Sequence, residues 1–366
     1  MTTVAVLGAG AGGLSAAVEL TGGGHAVRVW NRRESTLAAY RQAGGVDASG
    51  VLGDGFTELP VMTTSLGEVL DGADVAVVCL PALGHRALAD ELATLKSRTP
   101  LVLNPGHTLG AAHFASRFAR LGVERPSIVE LSTMTYVART GAGATVRITG
   151  TARRVRAAVI GVDDAALAFA TGLWPACKPQ SDVFATGLSN VNMVLHPPAA
   201  VLAAAWVEAT GGEFAYYADA TTPAVAAVMA DLDNERLNVA SAYGHTLDPL
   251  MMEMLAIGTV DALPADGTTD EQLRVAVSTG RANASITAPA SLRHRYYRED
   301  FGFAVVPLIE LAAVAGVDVP VARALLTLAD CALRGEPTRT GLRLHDIGLE
   351  TDSVEELRGL VRSGAL

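Results

Sequence analysis

The sequence is poor in cysteine and in positive charge, and each shortage excludes a class of protein. Its three cysteines, Cys79, Cys177 and Cys331, are too few and too widely separated for a disulfide framework or for a typical zinc site. The formal net charge is −10 at pH 7. Because a nucleic acid or an anionic membrane requires a basic surface, we predict neither as a partner.

The sequence also lacks a long uninterrupted apolar run. Its first 20 residues have no basic start, and glycines interrupt their apolar stretch, which is not typical of a secretory signal peptide. No apolar run elsewhere approaches the length that crosses a bilayer. Together with the scarcity of cysteine, these features predict a cytoplasmic protein.

Hydrophobic residues make up 50% of the 366 positions and charged residues 18%, which is enough apolar material for two folded domains. Between Val4 and about Val162, short β-branched runs alternate with amphipathic segments. This rhythm predicts an α/β fold, with a Rossmann-type doubly wound parallel sheet. The predicted strands are Val4–Leu7, Ala26–Trp30, Val75–Leu80, Leu101–Leu103, Ile128–Leu131 and Val146–Ile148.

The rhythm stops at Trp174–Pro179, where two prolines indicate a domain boundary. Helical periodicity dominates afterwards. We therefore predict a dinucleotide-binding domain over 1–175 and a mainly α-helical catalytic and substrate domain over 180–366. The predicted helices are Pro198–Thr210, Thr222–Tyr243, Pro249–Ile257, Val305–Ala315 and Val321–Leu333.

A glycine motif follows the first predicted strand directly. Gly8, Gly10 and Gly13 form G-x-G-x-x-G between an apolar strand and a helix-prone run. In a dinucleotide site the first glycine permits the tight turn, the second admits the diphosphate, and the third lets the helix approach the strand. A glycine-rich turn without a ligand is the alternative, but the flanking strand and helix favour dinucleotide binding.

The second predicted strand ends at Asn31-Arg32-Arg33, where NAD-preferring sites usually carry an acidic residue. An asparagine can donate a hydrogen bond to a 2′-phosphate, and an arginine can pair with it. We therefore predict that NADP(H) is preferred and that NAD(H) is possible. The alternative is that both arginines are solvated and that the site accepts either cofactor.

Two further loops follow predicted strands, at Cys79–Ala82 and Leu103–Gly106. Open α/β sheets bind ligands beyond the carboxyl ends of their strands, so Pro81 and Asn104 are candidates for the nicotinamide side of the site. A second interpretation, in which these residues only begin helices, explains each proline and glycine equally well.

The second half contains two segments rich in functional side chains, Asn190–Pro198 and Arg293–Asp300. From the residues alone, a histidine before two prolines also suits a structural role. However, N-x-N-x-x-x-H-P with a later R-Y-x-x-x-D resembles the opine dehydrogenase family. Asn104-Pro105-Gly106 and the segment Glu130–Arg139 add to the similarity, which spans most of the chain.

The resemblance implies reductive condensation, in which an amino acid adds to an α-keto acid, water leaves, and the imine accepts a hydride. It makes His196 the general acid and base, with Asp300 orienting its ring. An imidazole suits this role because its usual pKa lies near neutrality, and we expect the adjacent carboxylate to favour its charged form. We expect catalysis in a cleft between the two domains, with hinge closure.

The same resemblance assigns substrate contacts. Arg295 is expected to hold the keto-acid carboxylate with its guanidinium fork, and Asn192 to lie near the reacting groups. Thr133 and Arg139 are weaker candidates for contacting the amino acid, because both also suit ordinary hydrogen bonding between domains. The sequence departs from the family after Asp300, where the aromatic side chains of Phe301 and Phe303 raise the expectation of a larger or more apolar pocket.

Several alternatives stay open at this point. A reductase of a simple 2-keto acid or keto alcohol on the same plan would incorporate no amine, and a nucleotide-binding protein without turnover would retain only the cofactor fold. His245 and Glu253 lie on helix-like segments without a third metal ligand at suitable spacing, so we predict no metal site. The apolar helical domain and the resemblance predict a homodimer whose partners are small-molecule substrates.

Overall fold

A computed structural model describes residues 1–280, 283 and 286–366. The chain forms two compact units. The first comprises Met1–Gly106, Gly110–Val183 and Ser363–Leu366, and the second comprises His107–Leu109 and Phe184–Arg362. This grouping differs from the predicted division into 1–175 and 180–366 in three segments: residues 180–183 and 363–366 belong to the first unit, and residues 107–109 belong to the second. Local sequence patterns do not register these differences.

Within the described residues the chain has twelve strands, which in chain order are β1 (Thr3–Leu7), β2 (Ala26–Trp30), β3 (Gly45–Gly50), β4 (Gly55–Glu58), β5 (Val61–Thr63), β6 (Val75–Val78), β7 (Leu101–Leu103), β8 (Ile128–Leu131), β9 (Tyr136–Thr140), β10 (Thr145–Thr151), β11 (Val155–Val159) and β12 (Cys177–Pro179). All of them lie in the first unit.

The helices in chain order are α1 (Ala11–Gly22), α2 (Glu34–Ala43), α3 (Leu66–Leu70), α4 (His85–Thr94), α5 (Gly110–Arg120), α6 (Asp164–Leu173), α7 (Val183–Gly187), α8 (Asn192–Leu195), α9 (Pro197–Leu202), α10 (Ala204–Thr210), α11 (Tyr216–Ala220), α12 (Pro223–Ala242), α13 (Leu250–Ile257), α14 (Thr269–Thr279), α15 (Arg295–Asp300), α16 (Val306–Ala315), α17 (Pro320–Ala332), α18 (Glu336–Thr340) and α19 (Val354–Ser363). Single turns of 3₁₀ helix lie at Ala82–Gly84 and Leu344–Ile347, and a π-helical turn lies at Phe301–Val305. None of the helices in the described part of the chain is long and apolar enough to cross a bilayer.

The first unit is built on an eight-stranded sheet in the order β12-β11-β8-β7-β6-β1-β2-β5. Six of these strands pair in parallel, in the spatial order β5-β2-β1-β6-β7-β8. This is the 3-2-1-4-5-6 order of a doubly wound dinucleotide-binding fold. Every residue of β6 is buried, as expected for a strand that is covered on both faces. The predicted fold class is confirmed. β1 and β6 are neighbours at the switch point, where ligands bind in such sheets.

One predicted strand belongs to a different sheet. Val146–Ile148 lies within β10, which joins a separate four-stranded sheet in the order β4-β3-β10-β9. Its β-branched residues identified it as a strand, but it pairs in parallel with β3, which is distant in sequence, and antiparallel with the adjacent β9. Our assignment of this strand to the parallel sheet was therefore wrong, because composition does not specify the partner of a strand.

The segment interpreted as a boundary is instead part of the first unit. Cys177–Pro179 forms β12, an edge strand that pairs in parallel with β11, and edge strands tolerate proline. Trp174 is buried, and its indole N–H donates to the hydroxyl of Tyr136 at 2.8 Å. Proline content therefore marked the edge of the sheet rather than a linker.

The second unit is helical, as predicted. Its longest helix, α12, begins after Thr222, whose hydroxyl accepts from the N–H of Val225 at 3.3 Å, and Pro223 occupies the first turn. The predicted helix Pro198–Thr210 is divided into α9 and α10 at Ala203, where φ is −105° and ψ is 11°. Hydropathy continues across that residue, so the pattern predicted one helix.

A buried carboxylate joins α12 to the start of α17. The two carboxylate oxygens of Glu235 accept from the backbone N–H groups of Val321 at 2.6 Å and Ala322 at 2.9 Å. These N–H groups lie in the first turn of a helix and have no acceptor within it. Glu235 therefore fixes where α17 packs.

We expect Glu235→Ala to lower the free energy of unfolding by about 2 kcal/mol, because two donors in a poorly solvated position lose their acceptor. Asp231→Ala is the matched control, since Asp231 is an exposed acidic residue one turn earlier on α12 and should change stability by less than about 0.5 kcal/mol. Urea unfolding of both variants makes the comparison, and equal stabilities would contradict this role.

The three cysteines differ in accessibility. Cys79, directly after β6, and Cys177, on β12, are both buried, and burial raises the pKa of each thiol to about 12. Cys331 lies on α17 and is exposed.

Candidate active site

The glycine motif forms the turn between β1 and α1. Gly8 adopts a φ of +127°, and a Cβ placed there would lie 2.5 Å from the carbonyl oxygen of Cys79. A Cβ at Gly13 would lie 1.8 Å from the carbonyl oxygen of Gly8. Both positions therefore require glycine, for the turn and for the close approach of helix and strand.

Gly10 differs from its neighbours, because a Cβ placed there would meet none of the described atoms within 4 Å. It is the N-cap of α1, and no described side chain caps that helix. No acidic residue lies in its first turn. Backbone donors at the positive end of a helix, without a side-chain cap, fit the diphosphate of a dinucleotide.

Asn31 ties this turn to the end of β2. Its Oδ1 accepts from the backbone N–H of Ala9 at 3.3 Å, and its Nδ2 donates to the carbonyl of Arg33 at 3.2 Å. Asn31 thus supports the glycine turn in addition to any contact with a cofactor. Arg32 and Arg33 are exposed beside it, as a site for a 2′-phosphate requires.

The two other loop candidates differ from each other. Pro81 is exposed and precedes the 3₁₀ turn Ala82–Gly84. Asn104 is fully buried: its Nδ2 donates to the hydroxyl of Thr135 at 2.8 Å, and its Oδ1 accepts from the N–H of Thr135 at 3.1 Å. Its amide therefore positions the loop, and a direct contact with the cofactor stays a prediction.

The two weaker substrate candidates also lie in the first unit. Thr133 is half-buried in the turn between β8 and β9. Arg139 is exposed on β9, where its guanidinium donates to the carbonyl of Ala138 at 2.8 Å. Their contact with substrate stays a prediction.

The central geometry of the second unit joins residues 104 positions apart. Nδ1 of His196 lies 2.6 Å from Oδ2 of Asp300, and both side chains are 3% exposed. His196 separates α8 from α9, and its backbone N–H donates to the carbonyl of Asn192 at 3.2 Å. The half-buried Asn192 thus lies one helical turn before His196. The structure therefore brings together the histidine and the aspartate of the two motifs.

Aromatic rings enclose the imidazole. The ring of Tyr296 stacks on it with centroids 3.8 Å apart, and the hydroxyl of Tyr217 lies 2.6 Å from Nε2. Arg295 is exposed, and its guanidinium carbon lies 5.8 Å from the centroid of the Tyr296 ring. A cation therefore lies next to a buried acid and base pair, an arrangement that suits an anionic substrate.

Burial controls the protonation of the pair. It lowers the pKa of His196 well below its usual value, and the charge of Arg295 lowers this pKa further, whereas Glu299 raises it. Burial and Glu299 raise the pKa of Asp300 well above its usual range, although Arg295 and His107 oppose this shift. Desolvation therefore favours the neutral form of the imidazole, although Glu299 favours the charged form. The effect that we expect of the Asp300 carboxylate on the imidazole stays a prediction.

A second histidine and carboxylate pair lies beside the first. Nε2 of His107 is 3.1 Å from Oε1 of Glu299, and both residues are buried. Desolvation of its guanidinium opposes a high pKa for Arg295, but Glu299 and Asp300 outweigh this effect and raise that pKa. Both carboxyl groups therefore favour the charged form of the nearby arginine.

Sequence reasoning missed Tyr217, His107 and Glu299. One signal was present for the tyrosine, since four of the seven tyrosines occur in two adjacent pairs, 216–217 and 296–297. Nothing in the sequence links His107 with Glu299, because they are almost 200 positions apart.

The aromatic residues after Asp300 do not lie where we expected. Phe301 is completely buried and Phe303 is 8% exposed, both within the π-helical turn. They form core, so the inference of a larger pocket from these two side chains was wrong. His245 and Glu253 are also buried, and the described residues contain no group of three or more potential metal ligands.

Comparison with known proteins gives matches to both units. Residues 179–333 match the family described as NAD/NADP octopine/nopaline dehydrogenase, alpha-helical domain, and residues 4–153 match the family described as ketopantoate reductase PanE/ApbA. An opine dehydrogenase from Arthrobacter sp. (strain 1C) is 29% identical over 98% of this chain and 98% of that protein.

Solved structures share the fold over the whole chain. NADP+-bound yersinopine dehydrogenase has a TM-score of 0.75 at 15% identity, over 100% of this chain and 98% of its own. Octopine dehydrogenase with NADH and L-arginine has a TM-score of 0.73 at 18% identity, over 100% of this chain and 98% of its own.

Proposed function

We propose that this chain, whose helical unit matches the octopine/nopaline dehydrogenase family and whose full-length relative is an opine dehydrogenase, catalyses the NAD(P)H-dependent reductive condensation of an amino acid with an α-keto acid. The product is a secondary amine dicarboxylate, formed through an imine. The 2.6 Å contact between His196 and Asp300 in a buried site carries the proposal, because it couples a neutral base to a carboxylate that orients it.

Proton transfer begins with the amino acid. At neutral pH its amine is an ammonium group and cannot attack a carbonyl carbon. His196, neutral because of its lowered pKa, takes a proton from the ammonium. The free amine then forms the carbinolamine, and His196 returns the proton to the carbinolamine hydroxyl as the C–O bond breaks and water leaves. The cycle leaves the histidine neutral, and the iminium carries the positive charge.

Arg295 has a positioning role in this proposal. Its guanidinium pairs with the keto-acid carboxylate and aligns the carbonyl carbon with the amine. Asn192, one helical turn before His196, is the candidate for a polar contact with the reacting groups.

The cofactor would be held by the glycine turn of the first unit. Gly8, Gly10 and Gly13 would accommodate the diphosphate at the start of α1, with Pro81 and Asn104 as candidates near the nicotinamide. The reduced nicotinamide, when bound, supplies the hydride that reduces the imine.

A substrate panel tests the proposal. Purified full-length protein is incubated with NADPH or NADH and with paired amino acids and α-keto acids, nicotinamide absorbance is followed, and the product mass is measured by mass spectrometry with a ¹⁵N-labelled amino acid. We expect oxidation only when both substrates are present, and a product that retains the label. A hydroxy acid formed without the amine would refute condensation.

The second candidate function is the reduction of a simple α-keto acid to a hydroxy acid, without incorporation of an amine. The ketopantoate reductase family match over residues 4–153 favours it, since this match is consistent with reduction of a simple keto acid. The match of the helical unit and the full-length relative favour condensation.

Within this proposal NADP(H) is the preferred cofactor. We expect Arg32→Ala to raise the KM for NADPH about tenfold or more and to leave that for NADH nearly unchanged, because a charged hydrogen bond to a phosphate contributes about 1.5–3 kcal/mol. Arg147→Ala, which removes an exposed arginine from β10, is the control and should alter neither constant. A wild-type preference for NADH would contradict the assignment.

The remaining proposals concern assembly and location. We propose a homodimer in the cytoplasm, supported by the apolar helical unit and by the three free cysteines. Light scattering after gel filtration measures the mass of the assembly and tests the homodimer, and cell fractionation tests the cytoplasmic location.

A further inference from the structure

The hydroxyl of Tyr217 contacts Nε2 of His196, the ring nitrogen that does not face Asp300. Nδ1 faces Asp300, so Nε2 is the nitrogen that must exchange protons with a substrate. The Tyr217 hydroxyl lies 2.6 Å from that atom. A substrate proton therefore has to pass this hydroxyl or displace it.

Burial makes this contact hard to bypass. The imidazole is 3% exposed and Tyr217 is 5% exposed, while Tyr296 covers one face of the ring by stacking on it. Tyr216, the neighbouring tyrosine, is directed elsewhere, because its hydroxyl donates to the backbone carbonyl of His196 at 3.0 Å. Tyr217 is therefore the paired tyrosine whose hydroxyl reaches a ring nitrogen.

The hydroxyl also has a second polar neighbour. The oxygen atoms of Tyr217 and Tyr296 are 3.4 Å apart, and the guanidinium of Arg295 lies beside the Tyr296 ring. Arg295 is exposed although the other members of this group are buried. The hydroxyl of Tyr217 therefore lies between the buried nitrogen and a second hydroxyl, that of Tyr296, whose ring is near the exposed Arg295.

We propose that Tyr217 is the proton relay between Nε2 of His196 and the substrate, an inference that rests on the proposed condensation. As the carbinolamine C–O bond breaks, the Tyr217 O–H gives its proton to the leaving oxygen, and protonated His196 gives its Nε2 proton to the Tyr217 oxygen. Water leaves, the tyrosine is neutral again, and the imidazole ends neutral. Deprotonation of the incoming ammonium uses the same two transfers in reverse.

The state of the hydroxyl is suited to this relay. Burial raises the pKa of Tyr217 well above its usual value, and the neighbouring Tyr296 raises it further. The group therefore remains a neutral O–H, which can donate and accept in one step, rather than a phenolate that holds a charge next to the imidazole.

Tyr217→Phe tests the relay because it removes one oxygen and keeps the ring. We expect kcat for condensation to fall about 100-fold or more, with the Kd for NADPH and the KM for the keto acid within about twofold of wild type. The solvent deuterium isotope effect on kcat should rise, because proton transfer becomes rate-limiting. A purely structural tyrosine would not change that isotope effect.

Tyr297→Phe is the matched control. Tyr297 is buried in the other pair, and its hydroxyl has no hydrogen-bond partner among the described residues, so the variant should keep kcat within about threefold. A Tyr217→Phe enzyme with wild-type kcat overturns the relay and leaves the condensation intact, and equal losses in both variants also overturn it.

A readout without turnover separates the relay from the proposed function. The ¹⁵N resonance of His196 Nε2 should shift in Tyr217→Phe and stay in place in Tyr297→Phe. An unchanged resonance overturns the relay whatever the activity, whereas a wild-type enzyme that condenses no substrate pair overturns the proposed function.

Discussion

His196→Ala is expected to lower kcat for condensation by about 10²–10⁴-fold and to leave the Kd for NADPH within about twofold of wild type. This variant removes the imidazole that, in the proposed mechanism, takes the proton from the ammonium and protonates the departing hydroxyl. The glycine turn at the start of α1 is untouched, so cofactor affinity persists. Stopped-flow turnover and titration of NADPH fluorescence measure the two quantities.

Two further variants make this test specific. His345→Ala removes an exposed histidine of the same unit and should leave kcat unchanged. Asp300→Asn keeps the size of the side chain but removes the carboxylate that orients the imidazole, so we expect a loss of about 10²-fold or more with the fold intact by circular dichroism. If NADPH affinity falls in parallel with kcat in His196→Ala, the assigned role is wrong.

The second large effect concerns Arg295. We expect Arg295→Met to lower kcat/KM for the keto acid about 100-fold, through both a higher KM and a lower kcat, because the lost ion pair both binds and aligns the carboxylate. Initial-rate kinetics over a range of keto-acid concentrations measure this split. A rise in KM alone would limit Arg295 to binding.

The same variant should shift the pH profile in a defined direction. In the proposed mechanism, oxidation of the secondary amine needs neutral His196 as the base, so this activity should fall as pH drops through the pKa of His196. In the wild type that acid limb lies below the usual histidine pKa of about 6.5, because burial and Arg295 lower the pKa. Removing the guanidinium charge raises the pKa, and the limb moves to higher pH.

Arg295→Lys separates charge from geometry. A lysine keeps the positive charge but lacks the planar fork, so the KM should rise while the acid limb stays near its wild-type position. A limb that moves equally in the methionine and lysine variants would show that the shift does not come from charge.

The sequence alone predicted the glycine turn because the close contacts of Gly8 and Gly13 exclude every larger side chain. The alternation of runs predicted the main sheet for a similar reason, since a strand that is buried on both faces must be apolar. Resemblance supplied the pairing of His196 with Asp300, which no local pattern contains.

Other features could not be predicted, because they depend on tertiary contacts that the local sequence does not specify. β10 has the composition of any strand, and only its neighbours β3 and β9 place it in the smaller sheet. Phe301 is a candidate pocket residue by sequence, but the π-helical turn directs it into the core. Asn104 follows a strand at the ligand edge, yet its amide is hydrogen-bonded to Thr135.

The contrast between the cysteines gives the native chain a single attachment point for a thiol-reactive dye. Cys79 and Cys177 are shielded, and their pKa values near 12 keep them protonated and unreactive, while Cys331 is open to reagent on α17. A maleimide fluorophore should therefore modify the protein at one known position without mutagenesis. Energy transfer from bound NADPH to that dye would then report the distance between the cofactor and α17 as keto acid and amino acid are added.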